Sequence, residues 1–135
     1  MSKFILKHID SNDIWDNKIY YAFKFVIGSS YNINIRNNPI NIYTVQSKDS
    51  GNGYYRFNEI DKGGNPTGRV LFNSGSIISP YVDSWRNRYG WWVCETYEEA
   101  VETRENLINL VVSTLEQKIK KLEGLKEIIK TNDNK

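Results

Sequence analysis

The chain has one cysteine, one histidine, one methionine, three prolines and two alanines (Ala22 and Ala100) among its 135 residues. A lone cysteine, Cys94, rules out an intramolecular disulfide and any zinc site built from four cysteines. A lone histidine, His8, means that a Ser-His-Asp or Cys-His site would have to be built around it. No Gly-x-Ser-x-Gly elbow accompanies the serines. Long apolar runs are absent as well. Met1 to Asp13 carries only Phe4-Ile5-Leu6 before His8 and Asp10, too short for a signal-peptide core, and no stretch approaches a membrane span. A reducing cytoplasm is the expected compartment. Cys94 sits in Trp91-Trp92-Val93-Cys94, an apolar setting that favours a buried, inert thiol.

What is plentiful is asparagine (16), isoleucine (16) and aromatic side chains (18). The first two have A/T-rich codons and alanine has G/C-rich ones, so that bias reads as genomic background. The formal net charge is +2, too small for a polybasic tail or for generic duplex binding. The charge is uneven: residues 1–94 hold 11 basic and 7 acidic groups, and residues 95–135 hold 7 and 9. The length fits one domain, taken here as 1–130, with 131–135 as a disordered tail.

The first two thirds read as short strands. In Ile19 to Ile27, Tyr21, Phe23, Phe25 and Ile27 alternate with Tyr20, Ala22, Lys24 and Val26. Asn32 to Arg36, Ile40 to Gln46, Tyr54 to Ile60 and Arg69 to Phe72 continue the period of two. Asp49-Ser50-Gly51-Asn52-Gly53 and Gly63-Gly64-Asn65-Pro66-Thr67-Gly68 supply turn signals between them. Such short connections imply antiparallel pairing. About five to seven strands are expected between residues 3 and 95.

The period then changes. Thr96-Tyr97-Glu98-Glu99 is a capping box, with Glu98, Glu99 and Glu102 placing negative charge where the helix dipole favours it. Val101, Ile108, Leu115, Leu122 and Ile129 recur every seven residues, so a helix is expected over about 97–130. Gly124 is where it would bend or stop, since glycine costs about 1 kcal/mol against alanine. The fold class is therefore α+β: an N-terminal antiparallel sheet followed by a long C-terminal helix. Residues 97 to 123 alone would span about 40 Å, against about 30 Å for a globule of this length. Part of the apolar stripe then needs another cover. A homodimer or higher oligomer through Val101, Ile108, Val112, Leu115, Ile119 and Leu122 is one answer, a helical hairpin broken at Gly124 is another, and plain core packing is the third.

Catalytic patterns do not emerge. Asp10, Asp13 and Asp16 follow His8 closely, but their spacing matches no calcium loop, and short Asp/Asn/Ser runs ordinarily make polar turns. Glu59-Ile60-Asp61-Lys62 superficially resembles a nuclease motif, yet Ile60 stands where that motif needs an acid. The glycines at 63, 64 and 68 lack the Gly-Lys-Ser/Thr ending of a phosphate loop. No metal, no cofactor and no catalytic residue is assigned, and the protein is read as a non-enzyme; the alternative is a hydrolase using His8 and the nearby aspartates. The best surface candidate is Ser84-Trp85-Arg86-Asn87-Arg88-Tyr89-Gly90-Trp91-Trp92. Tryptophan and arginine are the types most enriched at binding hot spots. Trp85, Arg86, Arg88, Tyr89 and Trp91 are taken as the binding residues. They suit either an acidic protein surface or stacked bases with bridged phosphates. One of Trp91 and Trp92 is expected to cap the sheet against the helix.

Trp92-Val93-Cys94-Glu95-Thr96-Tyr97-Glu98-Glu99-Ala100-Val101, continuing through Ile108, resembles a phrase common in small accessory proteins of tailed bacteriophages. In those proteins a strand ends in a threonine-capped helix and a leucine-rich helical tail follows. The outline of a sheet with C-terminal helices is also similar to that of Thoeris anti-defence sponges. The resemblance implies a non-enzymatic inhibitor in a host cytoplasm, masking the surface of a host or defence protein. The alternative it leaves open is binding of a nucleotide or single-stranded nucleic acid, including sequestration of a signal nucleotide.

Overall fold

The computed structural model describes residues 8–9, 11–25, 41–51, 53–77 and 90–133. Five strands and one helix follow in order: β1 (Ile19–Lys24), β2 (Tyr43–Gly51), β3 (Tyr54–Ile60), β4 (Pro66–Asn73), β5 (Trp91–Cys94) and α1 (Tyr97–Asp133). The sheet order is β4-β3-β2-β1-β5 and each neighbouring pair is antiparallel. This is the α+β architecture read from the alternating strands and the capped helix. Some boundaries move. β2 begins at Tyr43 and runs on through the first turn residues to Gly51, and β4 begins at Pro66, inside the second turn signal. Val26, Ile27 and the strand expected over Asn32 to Arg36 lie outside the described residues.

Alternation assigns the two faces of the sheet. Tyr21, Phe23 and Phe25 share one face with Trp92 and Cys94, and α1 covers them with Ala100, Leu107 and Val111. Tyr20, Ala22, Val45, Phe57, Phe72 and Val93 point the other way and form a second core with Ile14. Trp91 and Trp92, adjacent in sequence, therefore serve different faces. Trp92 is the one against the helix, and its Nε1 donates to the Phe25 carbonyl at 3.2 Å.

The second core requires the sheet to roll. Four strand spacings would hold β4 and β5 about 19 Å apart in a flat sheet. Instead the Phe72 and Trp91 rings stack at 4.3 Å between centroids and 12° between planes. Phe57 continues the stack on Phe72 at 4.5 Å and 8°. Register shifts between Asp49 and Gly51, and at Phe57/Asn58 and Asn58/Ile60, provide the bends that such curvature needs. Past β4, Ile77 makes a parallel bridge to Trp91, so the chain after one edge pairs with the opposite edge strand. Ile9 donates to the Val93 carbonyl at 2.8 Å, occupying another position on β5. Among the described residues β4 pairs on one side only, with β3; it starts on Pro66 and is shifted in register twice against β3.

Ser47 fastens the entry to β1. Fully buried, it accepts from the Lys18 amide at 3.1 Å through Oγ and donates to the Trp15 carbonyl. Its backbone exchanges bonds with Asn17 and Lys18. Asn17 adopts a positive φ of 58°, a conformation asparagine tolerates better than most residues. At the β2–β3 hairpin, Gly51 and Gly53 hold φ of 97° and 79°, the left-handed values such a tight turn demands.

Thr96 caps α1 as its spacing foretells: the Glu99 amide donates to Thr96 Oγ1 at 3.1 Å, and that hydroxyl donates to Glu99 Oε1 at 3.2 Å. The helix then runs 37 residues without a break. Of the outcomes left open at Gly124, the helix takes continuation: it runs on to Asp133, and residues 134–135 lie outside the described residues. Gly124 stands in open space with no neighbour to force a turn. Its cost of about 1 kcal/mol is spread over flanking Leu, Lys and Glu residues that favour helix. Contacts with the sheet end early. Ala100, Thr103, Leu107 and Val111 are buried, Leu115 packs at the margin, and residues 116–133 are exposed.

Two substitutions test this arrangement. Phe57→Ala removes the middle of the aromatic stack and is expected to cost about 3–5 kcal/mol, read as a lowered midpoint in denaturant. Gly124→Ala is expected to raise helical ellipticity and to stabilise by about 1 kcal/mol. A helix interrupted at that position would show no gain.

Candidate functional site

The rolled sheet leaves a cleft of about 380 Å³ beside the point where its edges meet. Trp91 and Phe72 contribute aromatic surface; Lys24 and Arg56 contribute cations; Asn73 and Ser76 contribute polar groups. Val70 and Leu71 also line it. No carboxylate, histidine or cysteine is among the described lining residues.

Each position follows from strand register. Lys24 pairs with Trp91 across β1 and β5, so it ends the row begun by Tyr20 and Ala22 and brings a charge to the rim of that core. Arg56 pairs with Asn73 across β3 and β4. Asn73 is held by its own turn: its Oδ1 accepts from the Gly75 amide at 3.0 Å at the start of a single 3-10 turn, Ser74–Ser76. Ser74, buried in that turn, accepts from the Tyr55 amide at 3.1 Å and ties the turn back to β3. Trp91 is half-buried: one side stacks on Phe72 and Tyr43 lies 6.0 Å away, while the cleft takes the rest. The result is a partly exposed aromatic cluster of the kind that binds a ligand or a protein.

Of the five residues singled out from the sequence, Trp91 is described and falls at this cleft. Trp85, Arg86, Arg88 and Tyr89 lie outside the described residues. Lys24, Arg56 and Phe72 were not anticipated. A signal for Lys24 did exist, because the period of two puts it in line with Tyr20 and Ala22, where an apolar residue would be ordinary. Nothing comparable marked Arg56, whose place depends on the pairing of β3 with β4.

The other chemical candidates are drawn into the fold. His8 Nδ1 accepts from the Val93 amide at 3.4 Å, and its ring lies 4.8 Å from that of Trp92. Asp16 Oδ1 accepts from the Asp49 amide at 2.8 Å, and Asp61 Oδ1 closes the turn before β4 by accepting from Gly63 and Asn65, both at 2.9 Å. Asp10 is outside the described residues. Among the described residues no three His, Cys, Asp or Glu side chains are placed to hold a metal ion. No described helix is long and apolar enough to cross a membrane.

Comparison of the chain with protein-family models, with curated proteins and with solved structures gives no match. The stretch from Trp92 to Ile108 is in the structure the passage from β5 through the Thr96 cap into α1.

Cys94 offers a direct test of the sheet–helix contact. Burial pushes its thiol up to about 12 from 9.0; a hydrogen bond with Thr103 opposes the shift and the Glu99 charge adds to it. The folded protein is therefore expected to resist thiol reagents at pH 8 and to react on unfolding. The sign for stability follows. Between about 9 and 12 the unfolded thiol loses its proton while the folded one keeps it, so this contribution is full below pH 9 and is lost as pH rises to about 12. A denaturation series comparing the parent with Cys94→Ala over that range should show the steeper alkaline decline in the parent.

Proposed function

We propose that the protein binds a nucleotide, with its base or sugar edge against Trp91 and its phosphates between Lys24 and Arg56. The observation that carries this reading is the composition of the cleft: aromatic surface with two cations, and no carboxylate among the described lining residues. An aromatic plane offers stacking worth about 1–3 kcal/mol per base. A guanidinium can hold two phosphate oxygens at once, and lysine adds a point charge. The rest of the Trp91 ring is engaged by Phe72, so the platform is fixed before a ligand arrives and little ordering entropy is lost on binding.

Size favours a nucleotide over a longer strand. The cleft lies at the small end of the range of about 300–1,000 Å³ for small-molecule sites, whereas a strand needs a groove with several platforms. The reading is one of binding without turnover: the described lining residues are those that would hold a nucleotide, an aromatic plane and two cations. In the setting that the phage-like phrase implies, such binding would sequester a signal nucleotide in the cytoplasm of an infected cell. Both the masking of a partner protein and nucleotide binding were first read from Trp85, Arg86, Arg88 and Tyr89, which lie outside the described residues; the small cleft at Trp91, with its two cations, favours the nucleotide.

The test is titration of the purified protein with ribonucleoside mono-, di- and triphosphates, followed by tryptophan fluorescence and by calorimetry. At least one class is expected to bind with salt-dependent affinity and to be displaced by a related nucleotide. Lys24→Ala and Arg56→Ala should each weaken binding about tenfold, equivalent to about 1.4 kcal/mol. Absence of binding across the series, or a double variant that binds as tightly as the parent, would reject the assignment.

A further inference from the structure

The far half of α1 carries an apolar seam that the sheet does not use. Beyond Leu115 every residue through Asp133 is exposed, yet Ile119, Leu122, Leu125, Ile128 and Ile129 are among them. Ile108 and Val112, alongside the sheet, are about half exposed too (47 % and 46 %). The positions 108, 112, 115, 119, 122, 126 and 129 are separated alternately by four and three residues, a heptad in which Val112, Ile119 and Lys126 are a and Ile108, Leu115, Leu122 and Ile129 are d. The residues that face the sheet, Ala100, Thr103, Leu107 and Val111, fall on a different stripe, about a third of a turn away. A second helix can therefore lie along the seam without displacing the sheet.

We propose that this seam binds a second copy of the same chain as a parallel, two-stranded coiled coil. Three observations select that occupant and that orientation. First, β-branched residues at a with leucine at two d positions favour two parallel strands. Second, the flanking charges are self-complementary in the parallel register. Lys118 is at g and Glu123 at the e position five residues on, so each Lys118 meets Glu123 of the other copy, twice by symmetry. An antiparallel pair centred on the same seam would set e against e, bringing Glu116 to Glu123. Third, Lys126 is the one charged residue at an a position of the seam, a device that fixes register at some cost in stability. Its stem lies along the seam while its ammonium reaches water. Gly124 occupies f, the outermost position, where it removes no contact from the interface. The interface is separate from the cleft, so neither reading depends on the other.

Sedimentation equilibrium of the full chain at micromolar concentrations is expected to give a dimer. Ile119→Glu with Leu122→Glu, both at exposed positions, should give a monomer that keeps the parent's tryptophan emission. Lys118→Glu is expected to weaken dimerisation about tenfold by like-charge repulsion, and adding Glu123→Lys should restore it, a rescue that loss of folding could not produce. Ile129→Cys should oxidise to a covalent dimer, since equivalent d positions meet only in the parallel arrangement; the buried Cys94 does not compete. A monomer at all concentrations overturns the proposal, as does a trimer or tetramer. So does a dimer that survives the double glutamate variant, fails to cross-link through position 129, or shows no rescue by the charge exchange.

Discussion

The stack of Phe57, Phe72 and Trp91 is the contact on which the remaining geometry depends. It joins strands at opposite edges of a five-stranded sheet, and that is feasible only when the sheet is rolled. Burial of three large rings supplies the driving force, and parallel offset planes add to it beyond area alone. Once the edges meet, three consequences follow together. The inward rows of β1, β2 and β3 are sealed into a core, Ile77 comes within pairing distance of Trp91, and a cleft is left where the two edges join. The candidate site is a by-product of closing the sheet. Its aromatic surface is also structural, which is why a ligand would meet a rigid surface.

The molecule divides its apolar residues between two cores with different partners. The helix covers β1 and β5 through small and medium residues at Ala100, Leu107 and Val111, and the outer strands are left to the roll. This division explains why α1 can be far longer than the sheet it packs on. Only its first four turns or so are needed for the fold, and the remainder is free to carry an interface of its own.

Much of this was legible in the residues, and the illegible part has a physical cause. The Thr96 cap, the antiparallel pairing and the opposite roles of adjacent inward and outward positions are local or nearest-neighbour properties, and they were read correctly. Continuity of α1 through Gly124 was left open, because one glycine weakens a helix without deciding its end when nothing nearby competes. The meeting of Phe72 with Trp91 was invisible, since it depends on the sum of twist and register shifts over five strands. Arg56 and Asn73 enter the cleft through that same accumulated curvature. Trp91 was picked out for its arginine neighbours and is placed by its stacking instead.

Among the described residues β4 pairs on one side only, and an edge strand is a template on which a second sheet can grow. Pro66 removes the first amide of that template, and the register shifts against β3 turn successive groups out of line. Among the described strands, growth of the sheet by addition is thereby blocked on one side by irregular backbone and on the other by Ile9 and Ile77 lying along β5.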